Sequence, residues 1–106
     1  MDECVFCKIV EKKVPSQIEK ETENLIVIKD INPAAPIHLL IVLKKHLRDV
    51  TEDSGASWSA IGTMASSLAK EKGLNGFRLV HNAGDAAEVA HMHVHFLGDI
   101  TKDRKI

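Results

Sequence analysis

Residues 90–98 are AHMHVHFLG, in which His91, His93 and His95 alternate with Met92, Val94 and Phe96. In an extended strand alternate side chains share a face, so the three imidazoles line up about 6–7 Å apart. Met92, Val94 and Phe96 take the other face and pack on a core. A neutral imidazole has one lone pair and one N–H, and it exchanges protons near neutral pH. Two chemistries suit such a row. The rings could ligate a catalytic metal, since imidazole is a common zinc ligand. Alternatively, one ring could attack phosphorus to leave a covalent phosphohistidine. A neighbour would then bind the phosphate oxygens or give a proton to the leaving group. A solvated strand face explains one histidine more easily than three in strict alternation.

Cys4 and Cys7 form a C-x-x-C, and they are the only cysteines in the chain. A redox pair, half of a zinc site and two buried thiols all fit this spacing. A structural zinc needs four ligands, usually from two segments.

The elements that must hold these residues follow from the hydrophobic pattern. The chain has 106 residues, 44% hydrophobic and 27% charged, with a net charge of −1. That suits one domain over 1–106 with a single core. It argues against a nucleic-acid or membrane-surface partner, while a small anionic ligand remains open. No apolar run has the length of a membrane span, and MDECVFCKIV is too acidic for a signal peptide, so a cytoplasmic location is expected. Residues 4–12 suggest a short helix ended by Pro15, and QIEK, NLIVIKD and IHLLIVLKK suggest strands. Asp53 and Ser54 are candidate caps for a long helix. Along it Trp58, Ile61, Met64, Ala65, Leu68 and Ala69 recur at helical spacing up to Gly73. GFRLVHN and VAHMHVHFLG complete the strands. Strands and helices do not alternate regularly, which predicts an α+β fold with a largely antiparallel sheet.

HMHVHFL resembles the His-φ-His-φ-His-φ-φ motif of the histidine triad superfamily, φ being apolar. CVFCKIVEKKVPSQ, IKDINPAAPIHLLIVLKKH and GFRLVHNAG resemble the family's other segments, in the same order. The likeness is greatest to the Hint branch and its bacterial relatives, which are small homodimeric nucleotide hydrolases. It implies a five-stranded antiparallel sheet with one long and one short helix, paired in a dimer to give ten strands. It also implies roles. His93 would be the nucleophile at the α-phosphate of a nucleotide, and His95 and His38 would contact the phosphate oxygens. Asp30 would take the ribose hydroxyls, although an Asx turn into NPAAP is its simpler explanation. Val5, Phe6, Ile31 and Leu40 would wall the base, and Asn82 would bond near the ribose and phosphate. Certain bacterial members, and the related galactose-1-phosphate uridylyltransferases, resemble this chain in a further respect. By that resemblance Cys4, Cys7, His46 and His91 would hold a structural zinc. His81 receives no role.

The family segment before the triad reads Gly-Gln-(Ser, Thr or Glu)-Val-x-His, and here it is AAEVAH. Ala87 stands where glutamine is usual, and Glu88 fills the slot of a residue that contacts the leaving group. A carboxylate there suits a basic leaving group such as an amine. The expected substrates are therefore purine nucleoside phosphoramidates, derivatives of AMP or GMP. Dinucleoside polyphosphate hydrolysis, and a nucleotide-binding regulatory module with little turnover, stand as alternatives. A metal hydrolase using the triad as ligands is disfavoured, because no carboxylate in the sequence clearly completes such a site.

Overall fold

A computed structural model describes residues 4–105. The first three residues, part of the acidic N-terminus considered above, lie outside the described residues.

The chain forms helix α1 (Val5–Val10), strands β1 (Ile18–Glu21), β2 (Leu25–Lys29) and β3 (Ile37–Leu43), helix α2 (Ala56–Lys72), and strands β4 (Phe77–Val80) and β5 (His93–Gly98). Two 3-10 turns, Val50–Glu52 and Gly84–Ala86, were not expected from the sequence. The strands make one sheet in the order β1-β2-β3-β5-β4, with every neighbouring pair antiparallel. The α+β class and the five-stranded sheet agree with the expectation.

Period-2 alternation splits the apolar residues between two faces. Leu39, Ile41 and Leu43 of β3, with Met92, Val94 and Phe96, pack against Ile61, Ala65, Leu68 and Ala69 of α2. Ile26, Ile28, Leu40 and Val42 face the other way, onto Phe6 and Ile9 of α1. A six-residue helix has too few hydrogen bonds to persist alone, so this packing holds α1 in place.

Local chemistry sets the ends. The N-cap of α2 is Gly55 rather than Asp53 or Ser54, and Asp53, two residues before it, accepts from the Ser57 N–H at 3.1 Å and the Trp58 N–H at 2.9 Å. Gly73 ends the helix at φ +61°, a conformation costly for residues with a Cβ. The Thr22 hydroxyl accepts from the Leu25 N–H at 3.0 Å and so tightens the β1–β2 hairpin.

Three strand boundaries differ from the expectation. β3 stops at Leu43, so His46 lies beyond the strand, and β4 stops at Val80. β5 begins at His93, not Val89. Just before it, the Met92 N–H turns to the Leu47 carbonyl at 2.7 Å, and the Leu43 N–H donates to the Met92 carbonyl at 3.2 Å. These bonds carry the alternation back to His91 without a regular ladder.

Leu68 is fully buried between α2 and the sheet. Leu68→Ala is expected to cost about 2–5 kcal/mol through lost burial and a residual cavity, measurable as a lower urea midpoint with an unchanged slope. At Gly76 an added Cβ would lie 2.1 Å from the Ile100 carbonyl oxygen. Gly76→Ala is therefore expected to destabilise the fold although the residue is only half-buried.

Candidate active site and metal centre

β3 and β5 are central neighbours, with His38 opposite Leu97, Leu40 opposite His95 and Val42 opposite His93. Even positions of β3 and odd positions of β5 share the face away from α2. Four of the six histidines, His38, His91, His93 and His95, therefore come together there.

Hydrogen bonds fix which nitrogen of each ring carries the proton. The Ala34 N–H donates to His38 Nδ1 at 2.9 Å, so neutral His38 is protonated on Nε2. That Nε2–H reaches His95 Nδ1 at 2.9 Å and lies 3.3 Å from Asp30 Oδ2. His95 Nδ1 then accepts, and the proton of neutral His95 sits on Nε2. His93 Nδ1–H donates to the His91 carbonyl at 2.6 Å, which leaves a lone pair on His93 Nε2. His91 Nε2–H donates to the Leu43 carbonyl at 2.6 Å, which leaves a lone pair on His91 Nδ1. Burial lowers the pKa of His38, His91, His93 and His95 below the ordinary histidine value. Asp30 opposes this at His38, His93 and His95. At neutral pH the rings are uncharged, as a nucleophilic imidazole requires.

Asp30 makes the Asx turn that is its simpler explanation. Oδ1 accepts from the Asn32 N–H at 2.8 Å, an Asx turn, while Oδ2 faces His38. This carboxylate also supplies what the sequence seemed to lack, since Asp30, His38 and His95 form a metal-capable group. Asn82 lines, with His38 and His95, a cavity of about 440 Å³. Phe6 and Leu40 are buried, and the Phe6 ring meets His93 edge-on at 4.7 Å. Val5 is exposed on α1, and Ile31 is 91% exposed beside Asp30. The four wall candidates thus divide into two beneath the histidines and two at the surface. Glu88 is exposed and close enough to His95 for its charge to raise that ring's pKa.

The second cluster is built on α1. Cys4 is the N-cap, and its Sγ accepts from the Cys7 N–H at 3.3 Å. His91 Nδ1 lies 3.3 Å from Cys4 Sγ, 3.5 Å from Cys7 Sγ and 3.0 Å from His46 Nδ1. Cys7 Sγ is 3.2 Å from His46 Nδ1. All four donor atoms fall within 4.8 Å of one another. Tetrahedral zinc, with Zn–S near 2.3 Å and Zn–N near 2.0 Å, requires ligand separations of roughly 3.3–3.8 Å. Two sulfurs and two nitrogens, one with its lone pair already freed by Leu43, fit that ion. Burial and the neighbouring Cys4 push the Cys7 thiol up to about 11, so a metal would have to displace its proton.

Sequence reasoning missed two features. Arg78, Arg104 and Lys105 line the His38–His95 cavity. Arg78 Nη1 donates to the Arg104 carbonyl at 3.1 Å, and the Arg104 guanidinium donates to the Ala34 carbonyl. The basic run KDRK was the available signal. Asp49 is also buried. Its oxygens accept from the Thr51 N–H at 2.9 Å, from the Thr51 hydroxyl, and from the Gly84 N–H at 3.1 Å. The Asp-x-Thr spacing was a weak hint of this pin between the two 3-10 turns.

The sequence profile of the family described as scavenger mRNA decapping enzyme C-term binding matches residues 3–105. A HIT family hydrolase from Clostridium thermocellum is 42% identical, superposes with a TM-score of 0.90, and is covered over 98% of its chain by 100% of this one. The purine nucleoside phosphoramidase of Escherichia coli K12 is 33% identical, over 92% of this chain and 87% of its own. A zinc-bound histidine triad protein from Mycobacterium smegmatis is 28% identical with a TM-score of 0.86, over 97% of this chain and 79% of its own. Together with the row of histidines, these matches place the chain in the histidine triad superfamily.

The hydrogen bonds to Asp49 lower its pKa from 3.8 to about 2, led by the bonds from Thr51. A depressed folded pKa gives stability that is present above the unfolded value and lost as pH falls toward the folded one. Between about pH 4 and pH 2, stability should therefore drop more steeply in the wild type than in Asp49→Asn, as followed by urea unfolding at each pH.

Proposed function

We propose that this chain is a hydrolase of purine nucleoside phosphoramidates that works through a covalent nucleotidyl-His93 intermediate. The carrying observation is the pair of committed rings. His93 keeps a lone pair on Nε2 because Nδ1–H is held by the His91 carbonyl. Neutral His95 keeps its proton on Nε2 because Nδ1 accepts from His38. One ring can attack and the adjacent ring can donate, with 5.2 Å between their centres.

In the first step His93 Nε2 forms a bond to the α-phosphorus, and the bond from phosphorus to the leaving nitrogen breaks. The departing amine takes up its proton from solvent, while the His95 Nε2–H donates a hydrogen bond to a phosphate oxygen and stabilises the charge that builds there. Water then attacks phosphorus and gives up a proton to solvent, the bond to His93 breaks, and the nucleoside monophosphate leaves with the His93 lone pair restored. Asp30 takes the ribose hydroxyls and Asn82 bonds beside the phosphate. The base lies against Ile31 and Val5, with Phe6 and Leu40 behind, and Glu88 orients the amine. Cys4, Cys7, His46 and His91 would hold zinc, which when bound supplies a structural cross-link from α1 to the histidine strand. Phe77 and Leu79, exposed apolar residues of the edge strand β4, support a homodimer formed along β4 and α2. The E. coli phosphoramidase and the zinc-bound M. smegmatis protein support the substrate class and the metal respectively.

One observation favours a second substrate class. Arg78, Arg104 and Lys105 beside His95 suit an anionic leaving group, as in a dinucleoside polyphosphate. Comparing kcat/KM for an adenosine phosphoramidate and a diadenosine polyphosphate separates the two. The phosphoramidate is expected to be preferred.

His93→Ala should lower kcat for adenosine 5′-monophosphoramidate by at least about a thousandfold, because the nucleophile is removed. A variant with the wild-type rate would end the covalent mechanism. Native mass spectrometry is expected to find one zinc per chain, lost in Cys7→Ser. Chelation should lower Tm by several degrees, as removal of a ligand that binds only the folded state must.

A further inference from the structure

His81 immediately follows β4 and has no part in the scheme above. Its ring joins two elements. Nε2 accepts from the N–H of Val50, the first residue of a 3-10 turn, at 3.1 Å. The proton of the neutral ring is therefore on Nδ1, which donates to the backbone carbonyl of His93 at 2.9 Å. The Trp58 ring of α2 packs edge-on against the imidazole at 5.5 Å.

The place of this bond gives it meaning. Val80 opposite His95 is the final pair of the β4–β5 ladder. In the same register Asn82 would stand opposite His93, but β4 has already ended. The donor that reaches the His93 carbonyl is a side chain instead. His93 is thus held twice, its ring by the His91 carbonyl at 2.6 Å and its backbone by the His81 ring. An in-line attack loses rate steeply when the nucleophile drifts by fractions of an ångström.

We propose that His81 is a positioning residue for the nucleophile. Its Nδ1–H fixes the His93 peptide so that His93 Nε2 meets the phosphorus in line, while its Nε2 anchors the ring to the turn at Val50. The role rests on the reading of His93 as nucleophile. It requires the bond to His93, not merely a filled space between α2 and β5.

The two nitrogens can be replaced separately, because an asparagine amide falls near the position of Nδ1 and a glutamine amide near that of Nε2. The full-length wild type, His81→Ala, His81→Asn, His81→Gln and, separately, His93→Ala are assayed with adenosine 5′-monophosphoramidate, and each Tm is recorded. His81→Ala should lower kcat about tenfold, the scale of one lost hydrogen bond acting on the transition state, with KM within about twofold of wild type. His81→Asn should restore most of kcat. His81→Gln should restore Tm but not kcat. Unchanged kcat in His81→Ala, or equal restoration by Gln and Asn, would overturn the role. In the wild type, NMR should detect a proton on His81 Nδ1 and a scalar coupling across the hydrogen bond to the His93 carbonyl carbon. A proton on Nε2 instead, or no coupling, would overturn the role even if every variant misfolds. A dead His93→Ala beside an unaffected His81→Ala removes the role of His81 alone. A fully active His93→Ala removes the nucleophile on which the role rests.

Discussion

An imidazole ring has two nitrogens, and the fold commits one nitrogen of each key histidine to a fixed partner. This constraint underlies the rest of the structure. His38 is committed by the Ala34 N–H, His95 by His38, His93 by the His91 carbonyl and His91 by the Leu43 carbonyl. Three of these bonds involve the main chain, so the proton pattern is written into the backbone path. The β3–β5 pairing brings the rings together, and the commitments make them unequal. His93 is left with a lone pair and His95 with a proton. His91 is left with a lone pair that turns toward the sulfurs of α1.

The surroundings keep this pattern uncharged. Burial is the main cause of the lowered pKa of all four rings. At His91 and His93 α1 contributes to that burial, since its Phe6 ring meets both edge-on. A six-residue helix has little stability of its own, so its hold on the sheet matters. Phe6 and Ile9 supply an apolar grip and the Cys4–Cys7–His46–His91 cluster a polar one. The metal-capable cluster and the candidate active site are thus coupled through one strand and one short helix.

Much of this was legible in the sequence because the chemistry depends on periodicity. Alternation in residues 91–96 put the histidines on one face and the core on the other, and the structure keeps that division. The resemblance carried by the motifs brought in His38, His46 and Asp30, which are distant in sequence and adjacent in space. Less legible were features set by backbone direction. The pattern of alternating residues extended β5 to Val89, because it cannot register that the Met92 N–H turns to Leu47. The 3-10 turn at Gly84–Ala86 and its pin to Asp49 depend on a contact across 35 residues. The placement of Arg78 and Arg104 beside His95 depends on the C-terminal segment crossing to Ala34, which no periodicity in the sequence encodes. No carboxylate in the sequence clearly completed a metal site with the triad, yet Asp30 stands 3.3 Å from His38 and groups with His38 and His95.

The central claim is that His93, alone among the clustered histidines, carries the nucleotide during turnover. Rapid acid-free quenching of the reaction with adenosine 5′-monophosphoramidate, followed by peptide mass spectrometry, tests it directly. An adenylyl group on His93, formed and lost at rates that account for turnover, is the predicted result. Adenylylation of His38 or His95, or steady turnover with no labelled histidine under conditions that preserve a phosphorus–nitrogen bond, would contradict it.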